Sequence, residues 1–86
     1  MASYELAFKK SVAKDLRALP KKDLQRVLAR IRELSVNPRP RGCEKLVGFE
    51  RYRIRQSNYR IVYAIQDTRL VVLIVKVAHR KDVYRG

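Results

Sequence analysis

The sequence predicts an α+β fold in which two helices pack on one face of an antiparallel sheet. Three observations carry this expectation. The apolar period is two near the N-terminus, helical over the next third of the chain, and two again over the second half. The period changes at Lys9 and at the proline-rich stretch 37–42, and Pro20 divides the helical part in two. At 86 residues the chain is long enough for one core and too short for a second.

Along residues 3–8, Tyr4, Leu6 and Phe8 share one side, as in a half-buried strand. From Lys9 the period changes: Val12, Leu16 and Leu19 lie at helical spacing. Pro20 then breaks the pattern before a second helix, where its fixed φ suits a first turn. In that second helix Leu24, Val27, Leu28, Ile31 and Leu34 form one apolar stripe, with Lys22, Arg26, Arg30 and Glu33 mostly outside it. The pair reads as a helical hairpin that buries one face. The run NPRPRG at 37–42 ends the helix and opens a loop. Three period-two segments follow, at about 50–56, 59–66 and 70–78. Ser57-Asn58 and Asp67-Thr68 are the expected two-residue hairpin turns between them. The order is N-terminal strand, helical hairpin, then three-stranded antiparallel meander. No repeat, linker or low-complexity stretch divides it, so residues 1–86 read as one domain.

Against 8 acidic residues stand 21 Lys and Arg, a formal charge of +13. Self-repulsion on this scale opposes compaction, so the excess points to an anionic partner. The only long apolar run, 70–78, is interrupted by Lys76 and falls short of the roughly 20 residues of a spanning helix. No membrane partner is expected. The N-terminal residues lead directly into a strand without a signal-like segment, and the lone Cys43 suits a reducing compartment, so the expected location is cytoplasmic.

With Ser57-Asn58 as the turn, Arg55 pairs with Arg60, Ile54 with Ile61, Arg53 with Val62 and Tyr52 with Tyr63. Tyr52, Ile54, Ile61, Tyr63 and Ile65 then face the core, and Arg51, Arg53, Arg55 and Arg60 the other side. Like charges directly opposite one another oppose pairing by something like 0.2–1 kcal/mol, so this clustering needs a compensating role. Arginine's planar fork grips phosphate through two bonds and stacks on bases. These four, with Lys45 ahead of them, form the candidate RNA-binding set. If Asp67-Thr68 is a two-residue turn, Arg60 lies opposite Val75 and His79, the only histidine, falls on the arginine side.

RNA can be cleaved by its own 2′-hydroxyl, given a base for that proton, cations for the phosphorane and an acid for the 5′ oxygen. His79, the arginines and Tyr84 can divide these roles. One histidine and scattered carboxylates give no metal-ligand spacing, the three glycines form no phosphate-cradling motif, and no Ser-His-Asp arrangement is present. No metal or other cofactor is expected.

The strings LVGFERYRIRQSNYRIVY at 46–63 and VAHRKDVY at 77–84 resemble those of the RelE toxins of bacterial and archaeal toxin–antitoxin pairs. The likeness extends to the N-terminal strand, the basic helices and the proline loop, and so to nearly the whole chain. It implies a ribosome-dependent mRNA endonuclease that acts in the A site and leaves a 2′,3′-cyclic phosphate, together with a small antitoxin that wraps the toxin in a hetero-oligomer. It also implies roles: Arg60 holds phosphate, Arg80 stabilises charge or assists the leaving group, and Tyr84 stacks on or orients the substrate. Arg51 and Arg53 stand where relatives often carry lysine, one of them the proposed base. Arginine does not readily yield a proton, so His79 takes that role in this reading, with Glu50 behind it. The expected catalytic set is His79, Arg80, Tyr84, Arg60 and Arg53. Two alternatives remain open from the residues: a ParE-like inhibitor of DNA gyrase on the same scaffold, and a non-catalytic RNA-binding module.

Overall fold

The computed structural model describes residues 3–48 and 50–79. Two of the expected catalytic residues, Arg80 and Tyr84, lie outside the described residues. The elements run β1 (Glu5–Phe8), α1 (Lys10–Arg17), α2 (Lys21–Val36), β2 (Glu44–Lys45), β3 (Tyr52–Gln56), β4 (Tyr59–Gln66) and β5 (Val71–His79). The sheet order is β1-β5-β4-β3-β2. The meander is antiparallel as expected, β1 joins β5 in parallel, and β2 is an additional edge strand that the periodicity does not reveal.

Local chemistry explains the breaks. Pro20 sits at φ −56 and ψ 149, outside the helical region, and ends one helix while capping the next. Its carbonyl accepts from Leu24 N–H at 2.9 Å and so begins α2. Asn37 is extended ahead of Pro38, the conformation that a following proline favours, and α2 stops there.

Val12, Val27, Ile31 and Leu34 from the helices meet Ile54, Ile61, Tyr63, Val72, Ile74 and Val77 from the sheet in one buried cluster. Tyr52 and Ile65 pack against it, so all five core-facing residues expected on β3 and β4 lie on the helix side. Phe8 does not follow Tyr4 and Leu6 inward. It stands at the last position of β1, where the chain turns into α1, and is 45% exposed.

Beyond Phe8, β5 continues without a β1 partner and α1 covers the open edge. The Asp15 carboxylate accepts from Val77 N–H at 3.2 Å and from the Lys76 ammonium at 3.3 Å. A backbone donor that would otherwise be left unmatched is thereby satisfied.

The β3–β4 register is the expected one throughout: Tyr52↔Tyr63, Arg53↔Val62, Ile54↔Ile61 and Arg55↔Arg60. Ser57 takes φ 56, the positive value that a tight hairpin turn needs at its first central residue. The β4–β5 register differs in two steps. Gln66 pairs with Val71, so the loop has four residues, 67–70, in place of the expected two. Thr68 is a poor candidate for the positive φ of a two-residue turn. The loop turns through a Gln66 carbonyl to Arg69 N–H bond of 3.3 Å and places Leu70 at φ 54 instead. Next, Tyr63 pairs with Ile74 but Val62 with Lys76, leaving Val75 as a bulge. A shift of two preserves the faces of a strand. A shift of one exchanges them. Arg60 therefore lies opposite Ala78, not Val75, and His79 lies opposite Tyr59.

At the end of the sheet where β4 turns into β5, aromatic and ionic contacts tie four segments together. Arg39 forms a bidentate pair with Asp67 at 2.9 and 3.2 Å and lies over the Tyr52 ring. Tyr4 donates its hydroxyl to Asp67 at 2.8 Å, while Tyr52 stacks on Tyr63, whose hydroxyl donates to the Pro38 carbonyl at 2.7 Å. Burial, followed by the neighbouring Cys43 thiol, pushes the Tyr63 phenol well above its usual range. Cys43 thus serves as a half-buried packing residue.

Candidate nucleic-acid interface

The helices occupy one face of the sheet and leave the other to β3, β4 and the end of β5. Alternation along the two paired strands puts Arg53, Arg55 and Arg60 together on that open face, with Arg51 in phase just before β3. Arg51 and Arg55 are exposed. Arg60 is only 5% exposed, the one buried charged residue among the described residues. Withdrawing such a group from water requires compensating contacts, so Arg60 is held by its surroundings.

Arg53 is oriented from the side. β2 places Glu44 directly opposite it, and the Glu44 carboxylate accepts from Arg53 Nη2 at 2.8 Å. The Nε of Arg53 is buried without a hydrogen-bond partner among the described residues. Glu44 is thus a member of the site that sequence reasoning missed. The only signal for it was a single carboxylate between Cys43 and Lys45 in a loop.

Two of the expected residues are not on this face. Lys45 lies opposite Tyr52, on the helix side, where its ammonium meets the Glu50 carboxylate at 3.6 Å. His79 was expected among the arginines. The bulge at Val75 turns it to the Tyr59 side, with the two rings edge to face at 5.5 Å between centroids. Tyr59 itself donates to Asp23 of α2 at 2.8 Å, and the paired carboxylate holds its phenol above the usual range. Asp15, Leu19, Tyr59, Lys76 and His79 border an open concavity of about 330 Å³ at this margin. His79 is therefore the last described residue of β5, beside the arginine face and not within it.

This arrangement can hold a polyanion. Several guanidiniums share one face, one of them buried and another fixed by a carboxylate, and the flanking Val62 and Ala64 are too small to obstruct access. The chain is similar to known proteins over most of its length. Residues 6–84 match the family model of the ParE toxin of the type II toxin–antitoxin system, parDE. The toxin RelG of Mycobacterium tuberculosis is 33% identical over 86 residues, covering 95% of this chain and 97% of that protein. Among solved structures, the archaeal RelE–RelB complex from Pyrococcus horikoshii superposes with a TM-score of 0.82 at 32% identity, covering 91% of this chain and 96% of the other. The intact RelBE toxin–antitoxin complex of E. coli gives 0.78 at 30% identity, covering 90% and 96%.

Proposed function

The chain belongs to the ParE toxin family within the RelE/ParE superfamily of type II toxins, and we propose that it is a ribosome-dependent mRNA endonuclease whose cutting surface is the open arginine face. The observation that carries this reading is the burial of Arg60 beside Arg53 and Arg55 on the face the helices leave uncovered. A surface that merely repelled other sheets would keep its charges in solvent.

In the proposed reaction the 2′-oxygen attacks the adjacent phosphorus, the P–O5′ bond breaks, and the products carry a 2′,3′-cyclic phosphate and a 5′-hydroxyl. Arg60 and Arg53 donate to the non-bridging oxygens as negative charge builds on the phosphorane. Arg51 and Arg55 hold flanking phosphates. Proton transfer falls to His79 at the strand end and Tyr84 beyond it, while Arg80 stabilises the charge that builds on the leaving oxygen. The resemblance implies this part for Arg80, and for Tyr84 it implies stacking on the substrate. Because His79 stands at the margin, any proton it accepts comes from a substrate group that reaches round the end of β5. A cognate antitoxin binds the toxin in the resting complex, a partner supported by the RelE–RelB complexes to which the chain is similar.

The name of the matching family supports a second reading, inhibition of DNA gyrase without RNA cleavage. One experiment separates the two: the protein is added to a translating system and the 5′ ends of the message are mapped, with gyrase supercoiling assayed in parallel. New 5′ ends with unimpaired supercoiling are expected. Intact message beside inhibited gyrase would remove the nuclease reading.

A further inference from the structure

The helical hairpin carries a second concentration of positive charge, on the layer facing away from the arginine surface. In α1, Lys10, Lys14 and Arg17 follow at i, i+4 and i+7, directly opposite the buried Val12 and the half-buried Leu16. Across the Pro20 corner, Lys21, Lys22 and Arg26 continue the stripe along the first turns of α2. All six are exposed, and among the described residues none is paired with a carboxylate.

The acidic residues of this half of the hairpin point the other way. Asp15 is turned to the β5 edge, where it holds Lys76 and Val77, and Asp23 is turned to Tyr59. A helix face kept soluble by charge ordinarily interleaves the two signs in i,i+4 pairs. Here the signs are sorted, cations outward and carboxylates inward. The side chains between the cations are small or polar, Ser11, Ala13 and Gln25, so the face lacks the aromatic and aliphatic anchors on which protein interfaces depend. It also offers nothing large and apolar to insert into a lipid surface. Phosphate is the ligand such a face suits, because its recognition through counterion release requires charge and spacing without apolar contacts.

We propose that the outer face of the α1–α2 hairpin is a second RNA-binding surface, which takes the phosphate backbone of a folded, double-helical RNA while the sheet face takes the single strand. The Lys10–Arg17 stripe spans about 10 Å of helix axis at 1.5 Å per residue, enough for successive phosphates. The molecule has no dimension below 25 Å. That far exceeds the roughly 8 Å Debye length at physiological salt, so the two layers act on separate anions. A small toxin with two such faces can be positioned on a large RNA assembly by one while the other remains open to a message. This surface does not depend on the sheet face being catalytic.

The test titrates the full-length protein with a labelled RNA duplex of about 16 base pairs, long enough for a backbone-tracking face, at several salt concentrations. Replacing Lys10, Lys14 and Arg17 together by alanine preserves helix propensity, and circular dichroism and thermal melting check the fold. The variant is expected to lose duplex affinity by about tenfold or more, and its slope of log K against log salt to fall by about two to three. Arg69→Ala, an exposed position in the 67–70 loop outside both cationic layers, is expected to keep the parent's slope. A triple variant with the parent's affinity and slope overturns the proposal. So does a parent protein that binds poly-glutamate as tightly as the duplex, since the face would then recognise charge of any kind. No cleavage enters this measurement, so it stands or fails apart from the nuclease reading.

Discussion

The two cationic layers of this small domain use positive charge in opposite ways. On the helical layer the cations are mostly lysines, exposed and free of carboxylates among the described residues, and helical spacing alone sets their separation. On the sheet layer they are arginines whose positions are fixed by strand register, one buried and one held by Glu44. The first arrangement attracts any properly spaced phosphate. The second can present donors to one phosphate from set directions. Charge quantity and charge geometry are thus separated within one chain, and the most direct way to test that separation is to keep charge while changing geometry.

Arg60→Lys does this at the most constrained position. Lysine retains the charge but replaces a planar fork by a point donor on a flexible stem. If Arg60 stabilises the phosphorane, cleavage falls by about 10²–10³-fold, the usual loss on removing one aligned transition-state donor. The converse exchange on the helical layer, Lys14→Arg, is expected to alter duplex affinity by less than about twofold, because only the charge matters there. Mapping of message 5′ ends and the duplex titration read the two outcomes. Equal tolerance at both positions would erase the distinction between the layers.

Much of this was legible from the chain, and the failures have physical causes. The β3–β4 pairing could be read because YRIRQ and YRIVY alternate cleanly around a two-residue turn. β5 could not be aligned in the same way. Its sequence, VVLIVKVAH, is apolar on both faces up to Lys76, so no alternation marks where the bulge at Val75 exchanges them. His79 was consequently assigned to the wrong face. Glu44 escaped notice because β2 is two residues long, below the length at which a period can be recognised. Of the cationic stripe on the helices, only Lys22 and Arg26 were read, as lying outside the apolar face. The stripe's lack of carboxylate partners became evident only when Asp15 and Asp23 were seen turned toward the sheet.

Arg39 represents a third use of charge, as structure, at the end of the sheet remote from His79. Hydrogen bonds from Arg39, and secondarily from Tyr4, hold the Asp67 carboxyl below its ordinary value. A folded-state pKa below the unfolded one gives a contribution that is complete above the unfolded value, about 3.9 for an aspartate, and is lost as pH falls through the lower folded value. Asp67→Asn is therefore expected to lower the melting temperature at neutral pH, and the gap from the parent to close as the solution is acidified below about pH 4. Duplex affinity should not change, since Arg39 belongs to neither binding layer. Thermal melting across a pH series checks the first point. A gap that persists at low pH would mean that the clasp acts through shape and not through charge.

The smallest expected effect concerns the turn between Arg55 and Arg60. Ser57 has φ 56, a conformation that burdens an L-residue with roughly 1–2 kcal/mol through contact of its Cβ with the following carbonyl. Glycine avoids that contact but loses about 0.5–1 kcal/mol of additional backbone freedom on folding. The first quantity exceeds the second, so Ser57→Gly is expected to stabilise the domain by up to about 1 kcal/mol, a rise of several degrees in melting temperature for a chain of this size. The substitution leaves the Arg55↔Arg60 register unchanged, and cleavage is expected to persist at the parent rate. If stability rises while cleavage falls, the turn does more than join two strands. Its stiffness would then help to set the angle between the two arginines, and the geometric character of the sheet layer would extend into its loop.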